Sequence, residues 1–160
     1  MWYNARTKGK AEMTIPQALV KLSMSKFRGR FKLDNDMVAI VTAKGFEAMR
    51  VFAEQRVAKT LAPAAPPNDG RQTPLKGHPV FLAQHATATC CRTCLNRWWR
   101  VRKGIALTAE QQKKITNLIM AWIEMQVNGG IESVKKKMSD HGHWGVGSAS
   151  LPLPPTTSHL

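Results

Sequence analysis

At 160 residues and 17.8 kDa the chain has room for one compact core with tails, and too little length for two large domains. Its 24 Lys and Arg outnumber 10 Asp and Glu for a formal net charge of +14, while 43% hydrophobic residues exclude wholesale disorder. That charge points to a polyanionic partner, nucleic acid first and an acidic membrane surface behind it, and no apolar run reaches the roughly 18 residues of a membrane span.

Residues 1–13 (MWYNARTKGKAEM) carry three basic side chains, Arg6, Lys8 and Lys10, without helical periodicity and read as a basic flexible arm. A single helical domain is expected over 14–144. It opens at Thr14, a candidate cap for a helix carrying Ile15, Leu19 and Leu22 on one face, with Pro16 tolerated in the first turn. KFRGRFK then inserts four cations and Gly29. A segment from Asp34 or Asp36 through Ala43 reads as a helix closed by Gly45, with a strand as the alternative. From Phe46 to Leu61 the apolar positions Phe46, Met49, Ala53, Val57 and Leu61 follow the helical period.

Residues 62–79 (APAAPPNDGRQTPLKGHP) hold five prolines and two glycines, so neither a helix nor a central strand continues through them. This is the long Pro-rich loop of the fold. The clearest helix is 109–127: Thr108 and Gln111 make a capping box, Ile115, Leu118, Ile119, Trp122 and Ile123 form the buried stripe, and Gly129 and Gly130 end it. IESVKKKM forms one more short helix, and the uncharged stretch 145–160 (GVGSASLPLPPTTSHL) reads as a flexible tail. The fold class expected is therefore mainly α: a small single-domain helical fold with a long Pro-rich loop and a Cys/His centre.

That centre is the sharpest chemical signal. His78, His85, Cys90, Cys91 and Cys94 lie within 17 residues and include every cysteine of the chain. Three clustered cysteines cannot staple a secreted fold and fit a reducing cytoplasm. Cys91-Arg-Thr-Cys94 has the C-x-x-C spacing by which two thiolates grip one ion, and His85 offers an imidazole. Zinc then needs a fourth group, from His78, Cys90 or solvent; solvent would leave a catalytic position open. Competing readings are a redox-active C-x-x-C, for which the surrounding thioredoxin-like pattern is missing, and free thiols packed as small hydrophobes. A zinc deaminase is disfavoured, since neither histidine has Glu two residues later and Cys90, not Pro, precedes Cys91.

If 91–103 is helical, Cys91, Cys94, Leu95, Trp98 and Val101 share a buried side, and Arg92, Asn96, Trp99, Arg100 and Lys103 a basic one suited to phosphates with base stacking on Trp99. Packing of Trp99 against a neighbouring helix is the equal alternative. From Gly70 to Ala109 there is no acid, and Arg71, Lys76, Arg92, Arg97, Arg100, Arg102 and Lys103 contribute +7, half the net charge. About five phosphate contacts on duplex DNA would give log affinity a slope of roughly −4.5 against log salt.

The run GHPVFLAQHATATCCRTCLNRWW, with LAPAAPPNDGRQTP before it and KGIALTAEQQ and LIMAWIEMQ after it, resembles a family of small bacterial proteins known only as a domain of unknown function. The resemblance spans about Lys21 to Gln126 and its HPVF-x-AQHATATCCR-x-CL segment is long. It implies a one-domain bacterial cytoplasmic protein, of a kind compatible with a phage or mobile element, and no established activity. His78, His85, Cys91 and Cys94 match the pattern; where the family often has histidine after the tryptophan matched by Trp98, this chain has Trp99. The function expected is a small nucleic-acid-binding protein with a structural zinc. The alternatives are a metal-dependent hydrolase or nuclease assisted by His78 or Asp69, and an inhibitor of a host nucleic-acid-processing protein.

Overall fold

A computed structural model describes residues 12–140, all of their regular structure helical. Most of the expected basic arm and all of the expected tail fall outside that range. Thr14 starts α1, Ile15–Ser23: its hydroxyl accepts from the Gln17 N–H at 3.4 Å while its own N–H donates to the Gln17 side chain at 2.9 Å, with Pro16 in the first turn. The KFRGRFK segment folds into a 3-10 turn, Arg28–Arg30. Asp34 caps α2, Asn35–Arg56, by accepting from the Met37 N–H at 2.8 Å. Gly45 interrupts α2 with φ 84°, so the two helices expected on either side of it are present, joined through a kink rather than parted by a loop.

The second helix ends in a π turn, Val57–Leu61, and the Pro-rich segment follows it without regular structure. Its backbone is nevertheless tied down: Arg56 donates to the Gln72 carbonyl at 2.8 Å and the Thr73 hydroxyl to the Cys90 carbonyl at 2.8 Å. Two short helices come next, α3 over Pro79–Ala86 and α4 over Arg92–Trp99. The first has no counterpart among the expected elements, and the second stops four residues short of the expected end. Arg100 takes the left-handed conformation (φ 59°, ψ 27°), and the N–H groups of Arg100 and Val101 bond back to Asn96 and Leu95, closing the helix.

The expected boundaries of α5, Ala109–Val127, hold, capping box included. Ile115, Leu118, Ile119 and Ile123 are fully buried, and α5 is the central rod touched by α1, α2, α3 and α6, the last spanning Gly130–Asp140. One apolar core gathers Leu22, Met49, Val57, Leu61, Val80, Leu95 and Trp99 around it, giving a small helical single domain. Among the described residues no helix is long and apolar enough to cross a membrane.

Gly29 matters by close approach: a Cβ there would collide with the Ser23 carbonyl oxygen. Gly29→Ala should therefore cost about 1–3 kcal/mol of overpacking and lower the melting temperature by several degrees, which a thermal melt reads directly.

Candidate metal centre

The centre is built by a buried turn between α3 and α4. Thr87 donates to the Ala83 carbonyl at 2.7 Å, the hydroxyls of Thr87 and Thr89 share a bond of 2.9 Å, and the Thr89 N–H reaches the Gln84 carbonyl at 2.8 Å. Ala88 between the two threonines has φ 56°, a left-handed residue that turns the chain back and delivers Cys90 and Cys91 to the start of α4. Cys91 is the N-cap of α4, its sulfur accepting from the Cys94 N–H at 3.3 Å. The sulfurs of Cys90, Cys91 and Cys94 consequently all lie within 4.8 Å of one another.

Arg28 reaches across from the 3-10 turn. Its guanidinium donates to Cys94 Sγ at 3.1 Å, to Cys90 Sγ at 3.8 Å and to the His85 carbonyl at 2.6 Å, and the residue is only 8% exposed. Hydrogen bonds from the Cys90 and Cys91 thiols, opposed by burial and reinforced by Arg28, hold the Cys94 thiol down to about 2. Donation to the other two sulfurs, together with burial, pushes Cys90 far up. At Cys91 the bond received from Cys90 lowers the thiol, but donation to Cys94 and burial prevail and raise it. The group is thus one thiolate and two thiols about one buried cation, a donor set that could hold a soft metal ion.

The structure does not bring the two expected histidine ligands into this group. His85 Nε2 sits 3.1 Å from both the Thr73 and Pro74 carbonyls, so it carries the proton and donates, and its ring stacks on Phe31. His78 is the N-cap of α3: Nδ1 accepts from the Val80 N–H at 3.1 Å and the ring stacks 3.9 Å from Phe52. Burial and then Lys44 lower its pKa, keeping it neutral at physiological pH. Cys90, expected from the sequence only as one candidate for the fourth ligand, is the third sulfur. Arg28 gives no sequence signal beyond belonging to a run of cations.

Asp69, the other candidate base, clamps the loop to the start of α4. Burial pushes its carboxyl up, but bonds from the Arg92 N–H at 2.8 Å, Thr93 at 3.0 Å, Gln72 at 3.3 Å and Lys103 at 3.4 Å outweigh it and hold the group below the usual carboxylate range.

The expected basic strip of α4 is partly corrected. Arg92 is 1% exposed and donates to the carbonyls of Leu61, Pro63, Arg102 and Ile105, so it cannot face a phosphate. Trp99 is buried with its indole N–H donating to the Thr87 carbonyl at 2.9 Å, which removes it as a stacking platform and matches the packing alternative. Arg97, Arg100, Arg102 and Lys103 are exposed, Lys103 beside Asp69.

The sequence pattern around this turn has a counterpart beyond the chain: a family model described as Domain of unknown function (DUF4186) matches residues 16–124. The chain belongs to that family. The match runs from the first turn of α1 nearly to the end of α5 and takes in the three cysteines and Arg28. No solved structure matches the chain.

Proposed function

We propose that this member of the family is a small nucleic-acid-binding protein whose cationic surface is held in shape by a structural zinc ion on Cys90, Cys91 and Cys94. One observation carries the reading: Arg28, bonded to the sulfur group, belongs to the stretch 13–33, which has five cations and no acid. Three thiolates around a divalent ion leave one negative charge, and the buried guanidinium balances it. Zinc bound there would pin the turn before α4 to the first turn of that helix, and the thiolates it holds would keep their hydrogen bonds from Arg28, adding folding free energy to a turn that has no regular structure of its own. Zinc takes four ligands, and three come from this group.

The hydrolase or nuclease reading needs a base near the ion. Asp69 is engaged with four donors and His78 caps a helix, so binding is preferred to catalysis. Protein purified without added metal should carry about one equivalent of zinc. Chelation should lower the melting temperature and weaken association with DNA or RNA, and that association should fall steeply with salt. Salt-insensitive or undetectable association rejects the binding reading. Strand cleavage that a chelator stops would move the assignment to the enzyme.

A further inference from the structure

We infer that the segment Met24–Lys32 is a platform for single-stranded nucleic acid, with Phe27 stacking on an unpaired base and Lys26, Arg30 and Lys32 meeting the backbone phosphates. This rests on the nucleic-acid reading above and relocates its binding face from α4. Phe27 is 44% exposed, the single exposed aromatic ring among the described residues, and Met24 three positions earlier is 80% exposed. Apolar groups left in water amid a cationic run mark a binding surface rather than a core.

The planar groups here are already arranged for stacking. The Arg30 guanidinium carbon lies 4.4 Å from the centre of the Phe27 ring and 5.4 Å from that of Phe31, and the two rings meet edge to face at 5.4 Å. Alternating guanidinium and aromatic planes are what an unstacked base adds to, since each presents a π face or a charge above one. Beside the segment a partly open recess of about 320 Å³ is walled by Leu22, Phe31, Trp122 and Met125, with Arg28 and Lys32 among its polar lining. A duplex keeps its bases stacked inside and can use neither the ring nor the recess, so the single strand is favoured. Arg28 fixes the segment from below, through Cys94 and the His85 carbonyl.

The test is fluorescence anisotropy of the zinc-loaded full chain with a short labelled oligonucleotide of mixed sequence, single-stranded and as its duplex, over a salt series. Phe27→Ala should weaken single-strand binding about tenfold or more without altering the salt slope, and Phe27→Trp should restore it. Arg30→Ala should make the slope shallower by about 0.7, the share of a single phosphate on a single strand. Removing Arg97, Arg100 and Arg102 together should leave the Phe27 effect in place. Wild-type protein that binds no strand at low salt overturns the nucleic-acid reading itself. Binding that Phe27→Ala and Arg30→Ala leave unchanged, or a preference for the duplex, overturns the platform alone. Phe27-dependent binding to phosphatidylcholine vesicles containing phosphatidylglycerol, with no strand bound, reassigns the segment to a membrane surface.

Discussion

Replacing Arg92 with alanine is expected to destabilise the fold by about 3–5 kcal/mol, seen as a drop of roughly 6–20 °C in melting temperature. The guanidinium bridges two segments that the Leu107 N–H to Ala62 carbonyl bond at 2.8 Å also joins: it donates to the Leu61 and Pro63 carbonyls at 3.1 and 2.8 Å where the π turn ends, and to the Arg102 and Ile105 carbonyls, both at 2.6 Å, where the chain leaves α4. Truncation leaves four acceptors facing a void in a site that is 1% exposed. Arg92→Lys keeps the charge but offers one ammonium to acceptors on two sides of a fork, and should recover less than half of the stability. A lysine variant melting like the wild type would show that charge, not fork geometry, holds the two segments. At temperatures where Arg92→Ala remains folded, its salt slope for nucleic acid should equal that of the wild type, because the side chain faces carbonyls; a shallower slope would return it to the surface.

The same residue shows where sequence reading stops. α1 and α5 are legible because their signals are local: Thr14 and Thr108 each meet a glutamine three positions on, and the stripe of Ile115, Leu118, Ile119 and Ile123 on α5 admits one face only. α3 escapes such reading because its cap is a histidine, outside the usual Ser, Thr, Asp and Asn, and eight residues carry too little periodicity to outweigh the prolines before them. On α4 a helical wheel places Arg92 and Trp99 outward on the assumption that cations seek water. What draws them inward, carbonyls of residues 61, 63 and 87, belongs to segments distant in sequence or to a turn set by a left-handed alanine. Composition and the C-x-x-C spacing locate the centre to within a few residues, yet which donors converge depends on Ala88, and the buried cation comes from 62 positions away.

Ligand identity gives the second large effect: Cys90→Ser should abolish stoichiometric zinc, as should Cys91→Ser and Cys94→Ser, whereas His85→Gln should retain it. Tetrahedral zinc with Zn–S bonds of about 2.3 Å holds its sulfurs about 3.8 Å apart. The three sulfurs already lie within 4.8 Å of each other, so binding needs movement of about an ångström or less. His85 instead donates to two loop carbonyls, and a glutamine amide can take over that donation. Protonation makes the centre testable a second way. Cys94 is held down to about 2 and enters as a thiolate, while Cys90 and Cys91 are raised and enter as thiols. Zinc binding near neutral pH should therefore release about two protons, so affinity falls about a hundredfold for each unit of acidification. The Cys90 and Cys91 thiols hold Cys94 down more than Arg28 does, so Arg28→Met should leave proton release near two, while loss of the guanidinium that balances the bound thiolates should drop affinity about 10–100-fold. Competition titrations at two pH values read both quantities. Zinc that survives Cys90→Ser but leaves with His85→Gln would reinstate the ligand set suggested by spacing and dismantle the three-sulfur centre.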